Sequence, residues 1–425
     1  MRTLTRREFV KDSLPPLTAA MTFGGLEQKL SATERRERRK LPVAAVVTVY
    51  RPQSHADVVL GKILEGWEQK GGPGPDLKLV GLYVDQFPKQ DMSRRLADKH
   101  GFSIFKTIRE AITLAGDEIP VAGVLSIGEH GQYPSTPDTH QVMYPRRRFF
   151  DEIVETFRQY KKVVPVFSDK GLGFSWQDAK HMVDTACKMD FPMIAGSSIP
   201  VTWRIPPLEL AMGCEIEEAL ALGYGGLEGY GFHSLELLQA VIERRQGGES
   251  GVAAVQVVQG DDIWKAEREG RWSRALLDAA LATVPESLKT PGRPEDNFNQ
   301  EAAFFLIEYR DGLKATVAMT NGHAGEFGFA AQLKGQSEPV ATRCARQRGA
   351  PYAHHGLLLK ATEQMIHTGK PSFRVERTLL TTGLLDSLMQ SVRQECQRLE
   401  TPHLKVKYQA QTWPYAKGVP PEPYS

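Results

Sequence analysis

Apolar residues fall into short runs that alternate with helical stripes through the first half of the chain. Pro42 to Tyr50, Leu77 to Val84, Val121 to Ile127, Val163 to Phe167 and Phe191 to Ala195 are runs bounded by polar or turn residues. Most are rich in Val, Ile and Leu, the composition of strands buried on both faces of a parallel sheet. Between them, apolar residues recur three and four apart, as in Val58, Val59, Ile63 and Leu64, or Trp176, Ala179, Met182, Val183 and Ala186. That spacing predicts helices over 58–67, 93–99, 107–115 and 149–160, and one starting near Trp176. Strand, helix, strand is the parallel crossover unit, so residues 41–195 read as a Rossmann-like α/β domain.

The period changes further on. Val252 to Gln259, Phe304 to Tyr309 and Lys314 to Met319 alternate as strands, with a hairpin at Asp311-Gly312. They predict a second α/β domain, residues 196–410, with an open, largely antiparallel sheet and one free face. Ile216 to Ala221 reads as a helix or helix entry. Helices follow from Phe232, over Leu357 to His367 after His354-His355, and over Thr378 to Gln397. Leu404 to Tyr408 reads as a last strand or extended segment, and 411–425 as a tail. His323 and Glu326 sit on a Gly-rich segment and read as surface residues.

Composition is that of an ordinary globular protein, with 41% hydrophobic and 24% charged residues. A formal charge of +2 gives no electrostatic case for nucleic acid or an anionic membrane. No run approaches the roughly 20 apolar residues of a membrane span. Cys187, Cys214, Cys344 and Cys396 are far apart and form no C-x-x-C pair. They read as buried free thiols. Residues 1–40 stand apart. Thr5 to Lys11, TRREFVK, fits a twin-arginine export signal, which predicts a periplasmic or otherwise exported protein. Pro15 and Pro16 interrupt the apolar region that should follow, so a cytoplasmic chain is the alternative. Ser31 to Lys40 reads as a charged linker.

Candidate chemistry collects at strand ends, because ligands of open α/β sheets sit beyond the carboxyl ends of the strands. Asp85 follows the second strand, and Glu129 and His130 follow the fourth. Asp169 and Lys170 follow the strand after that, and Gly196 to Arg204 the next. The first turn, Arg51 to Asp57, contains no glycine. Three readings stay open there. Ser54 or Asp57 caps the helix; Ser54, His55 and Arg51 receive a phosphate; or the pocket is rebuilt for another ligand. Arg146, Arg147 and Arg148 oppose the dipole of the helix they open. They read as a solvated face or as a contact for an anionic partner or another subunit.

Three segments resemble the Gfo/Idh/MocA family of nicotinamide-dependent sugar and polyol oxidoreductases. They are Asp169-Lys170-Gly171 with its following helix, Gly196-Ser197 through Arg204, and Leu227 to Glu236 (LEGYGFHSLE). The resemblance spans roughly residues 42 to 410. The family's Glu-Lys-Pro turn is Asp-Lys-Gly here, and Gly229 stands where the family has an aspartate four residues before its histidine. The resemblance implies NAD or NADP, with Ser54, His55, Asp85, Ser126, Glu129, His130, Asp169 and Lys170 around the cofactor. A carboxylate at Asp85 repels a 2′-phosphate and so favours NAD. Lys170 and His233 become the implied catalytic pair, with Glu228 or Glu236 restraining the imidazole. Trp203, Arg204 and Tyr230 become candidates for contact with a small-molecule sugar or polyol. A homo-oligomer through the C-terminal sheet is also implied, as is a terminal helix packing back on the first domain. Two alternatives remain. One is a non-redox carbohydrate-binding or assembly protein on the same scaffold. The other is a metal or acid–base enzyme using His55, Glu129, His130, Glu228 and His233, although that spacing matches no metal signature.

Overall fold

The computed structural model describes residues 40–422. The twin-arginine motif and nearly all of the charged linker lie outside the described residues. Eleven elements build the first sheet and its helices: β1 (Leu41–Val47), α1 (His55–Glu65), β2 (Leu77–Val84), α2 (Ser93–His100), β3 (Ser103–Phe105), α3 (Ile108–Thr113), β4 (Gly123–Ile127), α4 (Arg146–Tyr160), β5 (Val166–Asp169), α5 (Trp176–Met189) and β6 (Met193–Gly196). All strands are parallel, in the order β3-β2-β1-β4-β5-β6. The order reverses between β1 and β4, and that switch point sets a crevice over their carboxyl ends. Val43 to Val47 of β1 are fully buried, as a central strand covered on both faces requires.

The second sheet is built from β7 (Trp203–Ile205), β8 (Ile216–Gly223), α6 (Gly229–Ile242), β9 (Val252–Gln259), α7 (Asp261–Arg268), α8 (Arg274–Ala282), α9 (Pro294–Asn297), β10 (Ala303–Tyr309), β11 (Lys314–Met319), β12 (Gly328–Leu333), β13 (Val340–Ala345), α10 (His354–Thr368), α11 (Val375–Arg393) and β14 (Leu399–Glu400). The strand order is β14-β9-β10-β11-β8-β12-β13-β7, antiparallel throughout except for the parallel pair of β8 and β11.

Several expectations change here. Ile216 to Ala221 is strand, not helix. β8 lies inside the sheet, with Ala219 and Ala221 packed into one core and Leu220 and Leu222 into another. A strand apolar on both faces loses the alternation that marks strands in sequence. The expected free face is not free. α7 and α8 cover it, with Trp272, Leu276 and Leu277 packed on Leu220, Leu222 and Phe304. His323 and Glu326 are buried rather than exposed: Asn297 bonds the His323 imidazole, and Arg343 and Arg348 flank Glu326. Of the four free cysteines only Cys344 is buried, and Cys187 is exposed.

Two helices tie the halves together. α10 joins the first core, where Leu358, Leu359 and Met365 pack with β1 and α1 residues. α11 packs against α5 and β6 on one side and α6 and β9 on the other. Its start is pinned by Arg377, whose Nε donates at 2.9 Å to Oε2 of Glu243, the C-cap residue of α6. The Tyr408 hydroxyl donates to the same oxygen at 2.8 Å. All three are buried. Glu243→Gln therefore strands the Arg377 charge. The expected loss is about 3–5 kcal/mol, read as a lower denaturant midpoint than that of the wild-type chain.

Candidate active site

The strand ends converge on one buried carboxylate. Glu129 lies in the loop after β4, and Thr48 at the end of β1 anchors that loop by donating to the Glu129 carbonyl at 2.6 Å. One carboxylate oxygen takes the Arg146 guanidinium. The other lies 3.2 Å from Lys170 Nζ. Arg146 crosses to Glu129 because Gly128 has no side chain; a Cβ there would stand 2.7 Å from Arg146 Cγ. Burial opposes the Glu129 charge, but Lys170 and Arg146 together hold its carboxyl well below the usual range. The Arg146 triplet is thus no solvated face. Arg147 reaches Asp151 and Asp178, and Arg148 reaches Asp85 and Glu152.

Lys170 is the residue after β5, with φ +63°. His130 has φ +69°. Both occupy the left-handed region, which disfavours side chains with a Cβ by about 1–2 kcal/mol. Strain of that kind clusters where a side chain has to be aimed. Next to Lys170, Asp169 Oδ2 bonds His55 Nδ1 at 2.6 Å. The His55 ring stands edge-on to His130 at 5.2 Å and to His355 at 5.0 Å. Burial lowers the His130 pKa to about 4, aided by the charge of His55. Ser126, at the end of β4, is buried beside Val46 and Ser168 in the sheet.

His233 lies on α6. Its Nδ1 is 2.6 Å from Ser197 Oγ, and that oxygen also accepts from the Ile199 N–H at 3.0 Å. Neither carboxylate proposed to restrain the ring touches it. Glu236 is buried and accepts from the Ser197 N–H at 3.2 Å and from Thr381 Oγ1 at 2.6 Å. It acts on His233 only by holding Ser197. Gly196, at φ +129°, leaves room for that carboxylate. Glu228 caps the Val142 N–H, 3.1 Å from each oxygen, and burial raises its pKa. Burial, then the Lys170 charge, lowers the His233 pKa well below the ordinary value, so the imidazole is neutral at pH 7. Lys170, Arg146, Gln141, Glu228 and Phe232 line a cavity of about 30 Å³, room for roughly one water. Gln141 and Phe174 also line a wider cleft of about 930 Å³ that opens toward Trp176 and His403.

The groups expected to hold a dinucleotide have other partners. Ser54 caps α1: its hydroxyl accepts from the Asp57 N–H and donates to the Arg51 carbonyl at 2.7 Å, and it is fully buried. The Gln53 N–H goes to the Asp57 carboxylate at 2.9 Å, and the His55 N–H to His130 Nδ1 at 3.4 Å. The N–H groups of Gln53, Ser54, His55 and Asp57, at the helix start where a pyrophosphate would bind, are thereby occupied, and Asp57 adds a negative charge there. Asp85 accepts from Tyr83 and Tyr133 hydroxyls at 2.7 Å and from Arg148 at 2.6 Å, which leaves little capacity for ribose hydroxyls. The residues present do not fit a dinucleotide held at this turn. Arg204 is likewise committed, donating to the Leu208 and Pro200 carbonyls and stacking on Tyr415. Trp203 pairs with Ala345 in the sheet. Tyr230 stays 38% exposed beside His233, at 6.2 Å between rings.

No protein-family model matches the chain, and no curated protein matches it in sequence. Solved structures do match its fold. GenD2 from gentamicin A biosynthesis, solved in complex with NAD, covers 85% of this chain and 96% of its own at 13% identity, with a TM-score of 0.54. The scyllo-inositol dehydrogenase of Lactobacillus casei covers 85% and 98% at 9% identity and TM-score 0.52. A myo-inositol dehydrogenase of Corynebacterium glutamicum covers 85% and 98% at 11% identity and TM-score 0.51. The chain has the fold of the Gfo/Idh/MocA oxidoreductases. Within that fold, Ser197 is the partner of His233 that the sequence left unassigned; its place directly after Gly196 at a strand end was the available signal.

The imidazoles near this site make stability pH-dependent. Burial, then Arg346 and Lys62, lowers His354 to about 3; burial and its neighbour His354 push His355 well down. Unfolded, each titrates near 6.5. Below that pH the unfolded chain binds protons that the folded chain does not, so this contribution is complete above pH 6.5 and falls on acidification. Each ring accounts for about 1.4 kcal/mol per pH unit below 6.5. The pair is expected to remove roughly 3 kcal/mol between pH 7.5 and 5.5. His355→Asn should remove about one ring's share, roughly 1.4 kcal/mol, from the total fall read in denaturant titrations at the two pH values.

Proposed function

We propose that this chain is an acid–base enzyme for a polyhydroxylated carbonyl compound, a sugar or polyol derivative, working on the oxidoreductase scaffold without a dinucleotide held at the α1 turn. The observation that carries this reading is the closed Arg51–Asp57 turn together with the Lys170–Glu129 ion pair, whose lysine charge reaches His233.

His233 is neutral, and with its proton on Nδ1 it donates to Ser197 and keeps its lone pair on Nε2. In that tautomer it accepts a proton from a carbon next to a substrate carbonyl. The electron pair of the C–H bond moves to the carbonyl oxygen as an enolate, which the Lys170 ammonium stabilises. Return of the proton to the same carbon from the other face completes an epimerisation; return to the former carbonyl carbon, with the α-hydroxyl proton passing to the enolate oxygen, completes an isomerisation, and neither involves a net redox change. Glu129 and Arg146 keep Lys170 aimed; Glu236 keeps Ser197, and through it the imidazole, in place.

The shared fold with GenD2, whose structure contains NAD, favours a second reading. There the chain is a nicotinamide-dependent oxidoreductase and the turn opens to admit the cofactor. One comparison separates the two. Inosose and ketose substrates incubated in D2O with the purified chain should exchange their α-protons by NMR without added nicotinamide. Lys170→Met or His233→Asn should slow the exchange about 10²–10⁴-fold. NAD and NADP at millimolar concentration should leave the melting temperature unchanged. A melting shift with either dinucleotide, together with no exchange, transfers the assignment to the second reading.

A further inference from the structure

One cation on the far side of Phe327 from His233 has no acid partner among the described residues. Arg346 follows β13, on the sheet edge that also carries Tyr224 after β8 and Phe327 before β12. These three positions are neighbours because β8, β12 and β13 run antiparallel. The guanidinium carbon of Arg346 lies 5.5 Å from the Tyr224 ring centre and 5.8 Å from that of Phe327. Phe327 stands 6.0 Å from His233 and stacks on Tyr230 at 6.2 Å. The same aromatic wall therefore carries the guanidinium at one end and the imidazole at the other, with Tyr230 open to solvent.

Arg346 makes no hydrogen bond or ion pair among the described residues, and its Nε is buried without a partner. The Tyr224 hydroxyl and His354 Nδ1 are also buried and unpartnered. His354 is near enough that the Arg346 charge suppresses its protonation. Glu326, next to Phe327 in sequence, faces Arg343 at 3.6 Å and Arg348 at 3.8 Å. Arg343 and Arg348 thus share that carboxylate, and Arg346 is not among its partners. Burial and the neighbouring Arg348 lower the Arg346 pKa to about 10, the mark of an unmatched cation. Buried polar groups are otherwise satisfied almost everywhere in folded proteins. The Arg346 Nε is one such orphan, the hydroxyl of the tyrosine ring it packs on is a second, and His354 Nδ1 is a third.

We propose that Arg346, with the Tyr224 hydroxyl and His354 Nδ1, forms a subsite for an anionic group on the substrate, a carboxylate or phosphate carried by the sugar or polyol. This rests on the reading of the cleft as a polyol site, and it narrows the substrate to sugar acids or sugar phosphates. A planar guanidinium suits either group, since both offer two oxygens to its fork. The aromatic faces behind it hold the fork in position without competing for its N–H donors.

Calorimetric titrations of the full chain with D-glucuronate, D-glucose 6-phosphate and D-glucose test this. At least one anionic probe is expected to bind ten or more times tighter than glucose, and which one does so tells carboxylate from phosphate. Arg346→Met should reduce that probe to the glucose level, while Arg346→Lys keeps part of the preference. The melting temperature of Arg346→Met should equal or exceed that of wild type, because an unmatched charge is removed. Equal binding of all three probes overturns the subsite. So does an Arg346→Met chain that keeps the preference, or one that melts lower with anion binding intact, the pattern of a purely structural arginine. Glucose binding weakened by Lys170→Met but not by Arg346→Met, with no anion preference, leaves the polyol reading standing and the subsite overturned. No binding by any probe overturns both.

Discussion

The buried Glu129 carboxylate is the constraint on which the rest of the site depends. A carboxylate taken from water is tolerated only when paired and hydrogen-bonded. Here the pairing reaches across the sheet, from the loop after β4 to Lys170 beyond β5 and to Arg146 at the start of α4. Three elements that meet only in the folded chain are thus fixed by one group. The same pairing explains two features that look unfavourable in isolation. Arg146 opens a helix against its dipole, and Lys170 adopts a left-handed backbone. Each is offset by the charge it delivers to Glu129. Removing either cation would leave a buried charge half-matched, so the network holds its geometry as a unit.

Around that core, groups at positions where a dinucleotide would bind are bonded within the chain. The helix start that serves phosphates in dinucleotide folds is capped by Ser54 and closed by Asp57 and His130. The acid at the end of β2 is taken by two tyrosines and an arginine. The Asp169–His55 pair and the rings of His130 and His355 stand between α1 and β5. These contacts are mutually consistent. Glycine would be needed at the turn only if the backbone had to approach a pyrophosphate, and nothing in the closed arrangement asks for it.

The architecture was legible because its strands are short apolar runs and its helices have clear stripes. Most elements of the first sheet fall within a few residues of where their pattern placed them. β8 failed that test because both of its faces are buried, so Ala and Leu follow one another without polar alternation. The covered face of the second sheet was missed for a related reason: α7 and α8 are short, and their burial depends on a partner surface that sequence does not display. At the site, residue types and strand-end positions were readable, and Lys170, Glu129, His130 and Asp169 do come together. Pairings were not. Glu236 was a plausible partner for His233 by helical spacing, yet it bonds Ser197 and Thr381, because α11 approaches α6 from that side. His323 and Glu326 looked exposed on a glycine-rich segment, while their burial follows from the arginines and asparagine brought over them in the folded chain.

The two halves of the cleft therefore differ in how well they satisfy themselves. On the β4–β5 side, Glu129, Lys170, Arg146, Asp169 and His55 each have a charged partner within the chain, although the Arg146 Nε itself is unpartnered. On the β8–β13 side, Arg346, Tyr224 and His354 do not. A folded chain gains nothing from leaving a guanidinium, a phenol and an imidazole nitrogen unpaired, since each forgoes hydrogen bonds it had in water. Such deficits persist where an external group makes up the difference. The matched side is suited to holding a lysine and a histidine still during proton transfer. The unmatched side is suited to gaining its hydrogen bonds only when a ligand arrives, so binding energy collected there orients the ligand toward His233.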